Sequence, residues 1–126
     1  IERNIQLFSD DNLEFHCLDI AVDDLPFADC ALVRQVLQHL SNAEVINILR
    51  RLSDYKYIIL TEHVPNTDFI PNVDIISGQG TRLKKGSGVD VTAPPFNFEV
   101  VEKKELLSIS EQENKGIIVT TLFKMF

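Results

Sequence analysis

The chain has 126 residues, enough for one compact domain, and 44% hydrophobic and 25% charged residues make an ordinary globular composition. The formal net charge of −7 argues against nonspecific binding to nucleic acid or an anionic membrane, because such binding needs an excess of lysine and arginine. No apolar run approaches the roughly 18 residues of a membrane-spanning helix, so no membrane association is expected.

The cysteines indicate the cellular compartment, and the first residue indicates whether the sequence begins inside a longer polypeptide. Cys17 and Cys30 lie in apolar stretches, which favours two reduced core residues over a disulfide. With no leader sequence visible, this predicts a cytoplasmic protein. Ile1 stands where a complete chain would have methionine, which favours a sequence that begins inside a longer polypeptide.

The N-terminal third predicts one helix and two strands. Ile1, Ile5 and Phe8 share a helical face. Residues 13–20 (LEFHCLDI) form a short apolar run, which is typical of a buried strand. Residues 30–33 (CALV) are apolar at nearly every position, so we expect a parallel strand covered on both faces.

The clearest element begins at Ser41. Ser41 and Glu44 have the S-x-x-E spacing of a capping box, in which each side chain bonds a free backbone N–H of the other residue. Apolar residues then recur on one helical face, namely Val45, Ile48, Leu49 and Leu52. A buried strand at 57–60 (YIIL) completes a strand–helix–strand unit, which predicts an α/β fold with a parallel sheet.

The second half predicts a long loop and a hairpin. Residues 63–100 are rich in proline and glycine and keep no helical or strand period, so they predict a lid-like loop region within a single domain spanning 1–126. Residues 106–110 and 117–125 predict two strands, joined through residues 113–116 into an antiparallel hairpin.

Two stretches resemble class I S-adenosylmethionine-dependent methyltransferases. In the first, residues 13–40, a predicted strand ends at an acidic residue and is followed by segments in the family's order: Asp19, Leu25-Pro26-Phe27, Asp29 and Val36-Leu37-Gln38-His39-Leu40. In the second, residues 62–98, the segments HVPNT, NVDI and PPFNF look like one subgroup of uncharacterised bacterial-type members. The resemblance covers nearly the whole chain. It implies a partial Rossmann-like methyltransferase sheet, with parallel strands, a C-terminal antiparallel hairpin and helices on the faces.

The family's strand order, 3-2-1-4-5-7-6, implies which part of the fold is present. By resemblance, strands three to seven are residues 13–20, 30–34, 57–61, 105–111 and 117–125. Strands one and two, and the Gly-rich turn that lets the cofactor approach the backbone, have no counterpart in this sequence. Three outcomes stay open: the missing half lies outside this sequence, strand three pairs directly with strand four, or two chains pair edge to edge as a homo-oligomer. We favour the first.

The resemblance also implies positions that bind the cofactor, S-adenosylmethionine. Asp19 stands where the family accepts a hydrogen bond from the adenine amino group, and the N–H of Ile20 would meet a ring nitrogen. Arg34 and Gln35 follow the fourth strand, where ligands of open α/β sheets bind. An ordinary loop cap is the alternative for Asp19, and a surface ion pair is the alternative for Arg34.

Polar and aromatic residues near strand ends and in the lid-like region are candidates for substrate binding: Gln38, Glu62, His63, Asn66, Phe96 and Asn97. Loop capping is the alternative for Glu62, His63 and Asn66, and a plug beneath the loop is the alternative for Phe96. His39 is a weak candidate for a general base, because imidazole titrates near neutral pH. Packing at the start of the next helix is its alternative role. The histidines and cysteines lack metal-ligand spacing, so no metal is expected.

These features predict an S-adenosylmethionine-dependent methyltransferase fragment that binds cofactor poorly alone and acts on a small molecule or another unknown substrate. Methyl transfer is an in-line displacement, so positioning and exclusion of water can carry catalysis without a catalytic dyad. Two alternatives remain open: a non-catalytic remnant that binds a protein partner through an exposed sheet edge, and a regulatory subunit completed by a catalytic chain.

Overall fold

The computed structural model describes residues 1–110 and 116–126. Its elements, in chain order, are α1 (Glu2–Phe8), β1 (Cys30–Arg34), the 3₁₀ turn η1 (Leu37–His39), α2 (Asn42–Leu52), β2 (Tyr57–Pro65), the 3₁₀ turn η2 (Arg82–Lys85), β3 (Glu102–Ser110) and β4 (Gly116–Lys124). None of the helices in these described ranges is long and apolar enough to cross a membrane.

The four strands form one mixed sheet in the order β1-β2-β4-β3. β1 and β2 are parallel, with Val33 opposite Leu60, and α2 connects them as the predicted strand–helix–strand unit requires. β4 is antiparallel to both β2 and β3. The mixed α/β sheet is therefore confirmed, while most of the predicted hairpin connection, residues 113–115, lies outside the described residues.

The strand predicted at residues 13–20 is wrong. This stretch has no regular structure beyond one isolated bridge between Asp10 and Leu13, and most of its side chains are exposed. A strand is stable only when its backbone groups are paired, and no described strand lies beside this stretch. Cys17, predicted to be a core residue, is consequently an exposed free thiol.

Helix α2 begins as predicted, but its capping box is only half formed. Ser41 Oγ accepts a hydrogen bond from the Glu44 N–H at 3.4 Å. The Ser41 N–H donates to Ser77 Oγ at 2.7 Å instead of to the Glu44 side chain. The long loop therefore supplies the second cap, which ties residue 77 to the start of the helix.

Only one face of the sheet is covered. Val33, Ile58, Leu60 and Phe123 point to that face and pack against the buried side of α2 and the segment 89–100. On the other face Leu32, Leu107 and Ile109 are 74%, 54% and 50% exposed. The prediction that the strand at residues 30–33 is covered on both faces is wrong, because Leu32 is exposed and α1, the other α-helix in the described ranges, has no buried residue.

The outer edge of β1 carries unpaired backbone groups. Asp29 O accepts from the Tyr57 N–H and the Gln35 N–H donates to Thr61 O, so odd-numbered residues between them face β2. The N–H and C=O groups of Cys30, Leu32 and Arg34 therefore point away from the sheet. Within residues 1–110 and 116–126 no strand pairs with this edge.

The segment between β2 and β3 lacks helices and strands apart from η2, as its composition predicted, but it is anchored. Asn72 is 5% exposed; its side-chain amide donates to Asp90 O and Pro94 O, and its Oδ1 accepts from the Asp90 N–H. Ser87 is fully buried, and its Oγ donates to Ile70 O. These buried polar side chains replace a backbone ladder in holding the loop.

Candidate functional site

The candidate site lies at the carboxyl ends of the parallel strands β1 and β2, the edge where open α/β sheets bind ligands. Gln35 follows β1 with a left-handed backbone (φ 52°), and its N–H donates to Thr61 O at 2.7 Å. This turn directs the chain after β1 back over β2. Residues that follow the two strands are thereby brought together.

Gln38 is the centre of this arrangement. Gln38 is only 6% exposed, and its backbone N–H donates to Glu62 Oε2 at 3.1 Å. Its Oε1 accepts from the His63 N–H at 2.9 Å. The structure therefore brings together three predicted substrate residues, Gln38, Glu62 and His63, but it uses Gln38 to join η1 to β2.

Both ring nitrogens of His39 are occupied. Nδ1 lies 2.9 Å from Gly80 O, and since a carbonyl can only accept, Nδ1 carries the proton. Nε2 then accepts from the Gln38 side-chain amide at 3.3 Å. This geometry matches the packing role that was the alternative for His39, because a general base needs a free nitrogen within reach of its substrate.

Glu62 is a buried carboxyl group with one unsatisfied oxygen. It is 4% exposed, and within residues 1–110 and 116–126 its Oε1 has no hydrogen-bond partner. Burial raises its pKa from 4.5 to about 8, because desolvation outweighs the hydrogen bonds from the backbone of Gln38 and Leu37 and the positive charge of Arg82. Glu62 is therefore mainly protonated at neutral pH. The proton belongs on Oε1, since Oε2 accepts from the Gln38 N–H.

Arg82 was missed by the sequence analysis. It is fully buried, and its guanidinium donates to Leu37 O at 3.0 Å, Leu40 O at 2.7 Å and Asn42 Oδ1 at 2.6 Å. Burial lowers its pKa, while the carboxyl groups of Asp74 and Glu62 act in the opposite direction. Arg82 thus fastens η2 to the chain between β1 and α2. Nothing in its sequence neighbourhood, TRLKK, marks it as buried.

A cavity of about 580 Å³ opens between the end of β2 and η2. Its walls are formed by the last residues of β2, the residues after it and residues around the turn: His63, Pro65, Asn66, Thr67, Thr81, Leu83, Lys84 and Gly86. Two predicted substrate residues, His63 and Asn66, line it. Gly116 of β4 packs beneath the His63 ring so closely that a Cβ there would collide with it.

The structure separates the predicted cofactor residues between the two ends of α2: Arg34 and Gln35 precede its start, whereas Asp19 and Ile20 adjoin Ala21 and Val22, whose carbonyl oxygens accept from Arg51 in its last turn. Arg34 is exposed at the end of β1, and Ile20 packs against the core. Asp19 is exposed in a turn, where its Oδ1 accepts from the Ala21 N–H at 2.9 Å. That contact is the loop cap that was its alternative role.

Phe96 and Asn97 lie away from the cavity. Phe96 packs against the core and lines a separate hollow beside α2, with Leu49 and Arg50. Asn97 is exposed, and its backbone N–H donates to Ala93 O at 3.1 Å. The structure therefore places Phe96 as a plug and does not bring it together with His63 and Asn66.

Comparisons with protein-family models, curated proteins and solved structures found no match to this chain. The methyltransferase family thus remains a prediction from the residues quoted above.

Proposed function

We propose that this chain is the C-terminal part of a class I S-adenosylmethionine-dependent methyltransferase. The observation that carries the proposal is the strand order β1-β2-β4-β3, two parallel strands followed by an inserted antiparallel hairpin strand. In the family, strands 4, 5, 7 and 6 lie side by side in this same order.

The positions of the polar residues support the same proposal. Arg34 ends β1 and Gln35 follows it, and Gln38 meets Glu62 and His63 just beyond the part of β2 that pairs with β1. In the proposed enzyme the cofactor lies against Arg34 and Gln35, and the methyl acceptor enters the cavity lined by His63 and Asn66. The described residues offer positioning groups and a neutral carboxyl group. Those groups suit a reaction that depends on alignment and exclusion of water.

The proposal is tested by titrating the chain with S-adenosylhomocysteine in a calorimeter. We expect weak binding, because the Gly-rich turn of the family is not among these residues. Arg34→Gln should weaken it about tenfold, the effect of losing one charge-assisted contact of about 1.4 kcal/mol. Arg50→Gln, on the exposed side of α2, is the matched control. Absence of binding, or equal loss in both variants, contradicts the proposed site.

A second candidate function is docking of a protein partner on the outer edge of β1. It is favoured by the outward backbone groups of Leu32 and by the 74% exposure of its side chain. Leu32→Pro removes one outward N–H and no bond to β2. If the edge pairs with a second copy, sedimentation velocity should show a dimer for the wild type and a monomer for the variant. A monomeric wild type would exclude self-pairing.

A further inference from the structure

We propose that the cavity between the end of β2 and η2 binds a small organic anion, with Lys84 contacting the anionic group. The further claim that this anion is the methyl acceptor rests on the proposed function, whereas binding of the anion does not.

The charge of the cavity wall is the first argument. Among the described residues that line it, Lys84 is the one lysine or arginine, and none is an aspartate or glutamate. This contrasts with the chain as a whole, whose formal net charge is −7. A positively charged cavity in a protein of negative net charge concentrates anionic ligands.

The surroundings strengthen this positive field. Arg82 stands between the lining residues Thr81 and Leu83 in the sequence, and among the described residues its guanidinium donates only to neutral oxygens, those of Leu37, Leu40 and Asn42. It forms no ion pair among the described residues. Glu62, which precedes the lining residue His63, carries little charge at neutral pH because burial raises its pKa to about 8. Asp68 and Asp74 are the acidic groups nearby, and both are exposed to solvent.

The size and the remaining wall define the rest of the ligand. A volume of about 580 Å³ is within the range of about 300–1,000 Å³ that small-molecule sites occupy. Pro65 and Leu83 provide apolar contact, while Asn66, Thr67 and Thr81 provide hydrogen-bonding groups. This combination suits an acid with a small apolar or aromatic body, and the anionic group can be a carboxylate or a phosphate.

The test is an NMR titration of the full chain at low salt with benzoate, phenyl phosphate and the neutral isostere benzamide. We expect the anions to bind with a Kd on the order of 1 mM, the affinity of a small fragment. They should shift the amide signals of residues 66–67 and 81–86, and benzamide should bind at least about tenfold more weakly. Whichever of benzoate and phenyl phosphate has the lower Kd shows whether the site prefers a carboxylate or a phosphate.

Variants separate a specific contact from general attraction. Lys84→Gln should weaken benzoate binding about tenfold, because position 84 is exposed and the replacement of lysine by glutamine removes only the positive charge. Lys104→Gln, an exposed lysine of β3, should leave it unchanged. The proposal is overturned if benzamide binds as well as benzoate, if no probe shifts these signals, or if both variants behave alike. S-adenosylhomocysteine is titrated separately. If benzoate binds and S-adenosylhomocysteine does not, the methyltransferase proposal is contradicted and the anion site is not.

Discussion

Replacing Arg82 with methionine is expected to lower the free energy of unfolding by about 3 kcal/mol. The guanidinium is fully buried and donates to three oxygens between the end of β1 and the first residue of α2. Methionine keeps most of the side-chain volume but leaves the buried Leu37 O and the part-buried Leu40 O and Asn42 Oδ1 without this donor. Urea denaturation followed by circular dichroism measures the loss.

Arg50→Met is the matched control, because Arg50 is exposed on α2 and the described residues give its side chain no hydrogen bond. Its free energy of unfolding should change by no more than about 0.5 kcal/mol. Amide hydrogen exchange should also become faster in residues 81–87 of the Arg82 variant, since η2 loses its anchor. A loss below about 1 kcal/mol would mean that the apolar packing of the loop, rather than Arg82, holds it in place.

The Glu62→Gln variant is expected to remove a pH dependence of stability that the wild type shows. The folded-state pKa of Glu62 is about 8 against 4.5 for the free group, so between these values the folded chain binds more protons than the unfolded chain. The stability contribution of Glu62 is therefore complete below pH 4.5 and is lost as the pH rises towards 8. Between pH 4.5 and pH 7 the loss amounts to about 3 kcal/mol.

Glutamine resembles the protonated carboxyl group: its oxygen can accept from the Gln38 N–H, and its amide occupies the place of Oε1. The variant should match the wild type near pH 4.5 and exceed its stability at pH 7 by about 3 kcal/mol. Glu99→Gln, at an exposed position before β3, serves as the control and should keep the wild-type slope. Parallel pH profiles for Glu62→Gln and the wild type would show that Glu62 is ionised in the folded chain at neutral pH.

The elements with a strong local pattern were predicted from sequence. Ser41 and the apolar spacing from Val45 to Leu52 define α2, and the run at residues 57–60 defines the start of β2. The failed strand at residues 13–20 shows the limit of such patterns. An apolar run reports a tendency to be buried, but a strand also needs a partner edge, and partners are set by tertiary structure.

The candidate site was predicted only in part for a related reason. His63 and Asn66 were found because residues after a parallel strand gather at one sheet edge. Arg82 and the anchoring role of Gln38 were missed because each depends on contacts between residues far apart in sequence, such as Arg82 with Leu37. Phe96 was ambiguous for the same reason, since only the packing against α2 decides between a lid and a plug.

The most direct test of the methyltransferase proposal is to locate S-adenosylhomocysteine on the chain by NMR. The proposal predicts that the amide signals of Arg34 and Gln35 shift together and saturate with one dissociation constant, while those of residues 96–98 stay in place. Shifts that saturate elsewhere, or none at saturating ligand, would contradict the assignment of the carboxyl edge of β1 and β2 to cofactor binding.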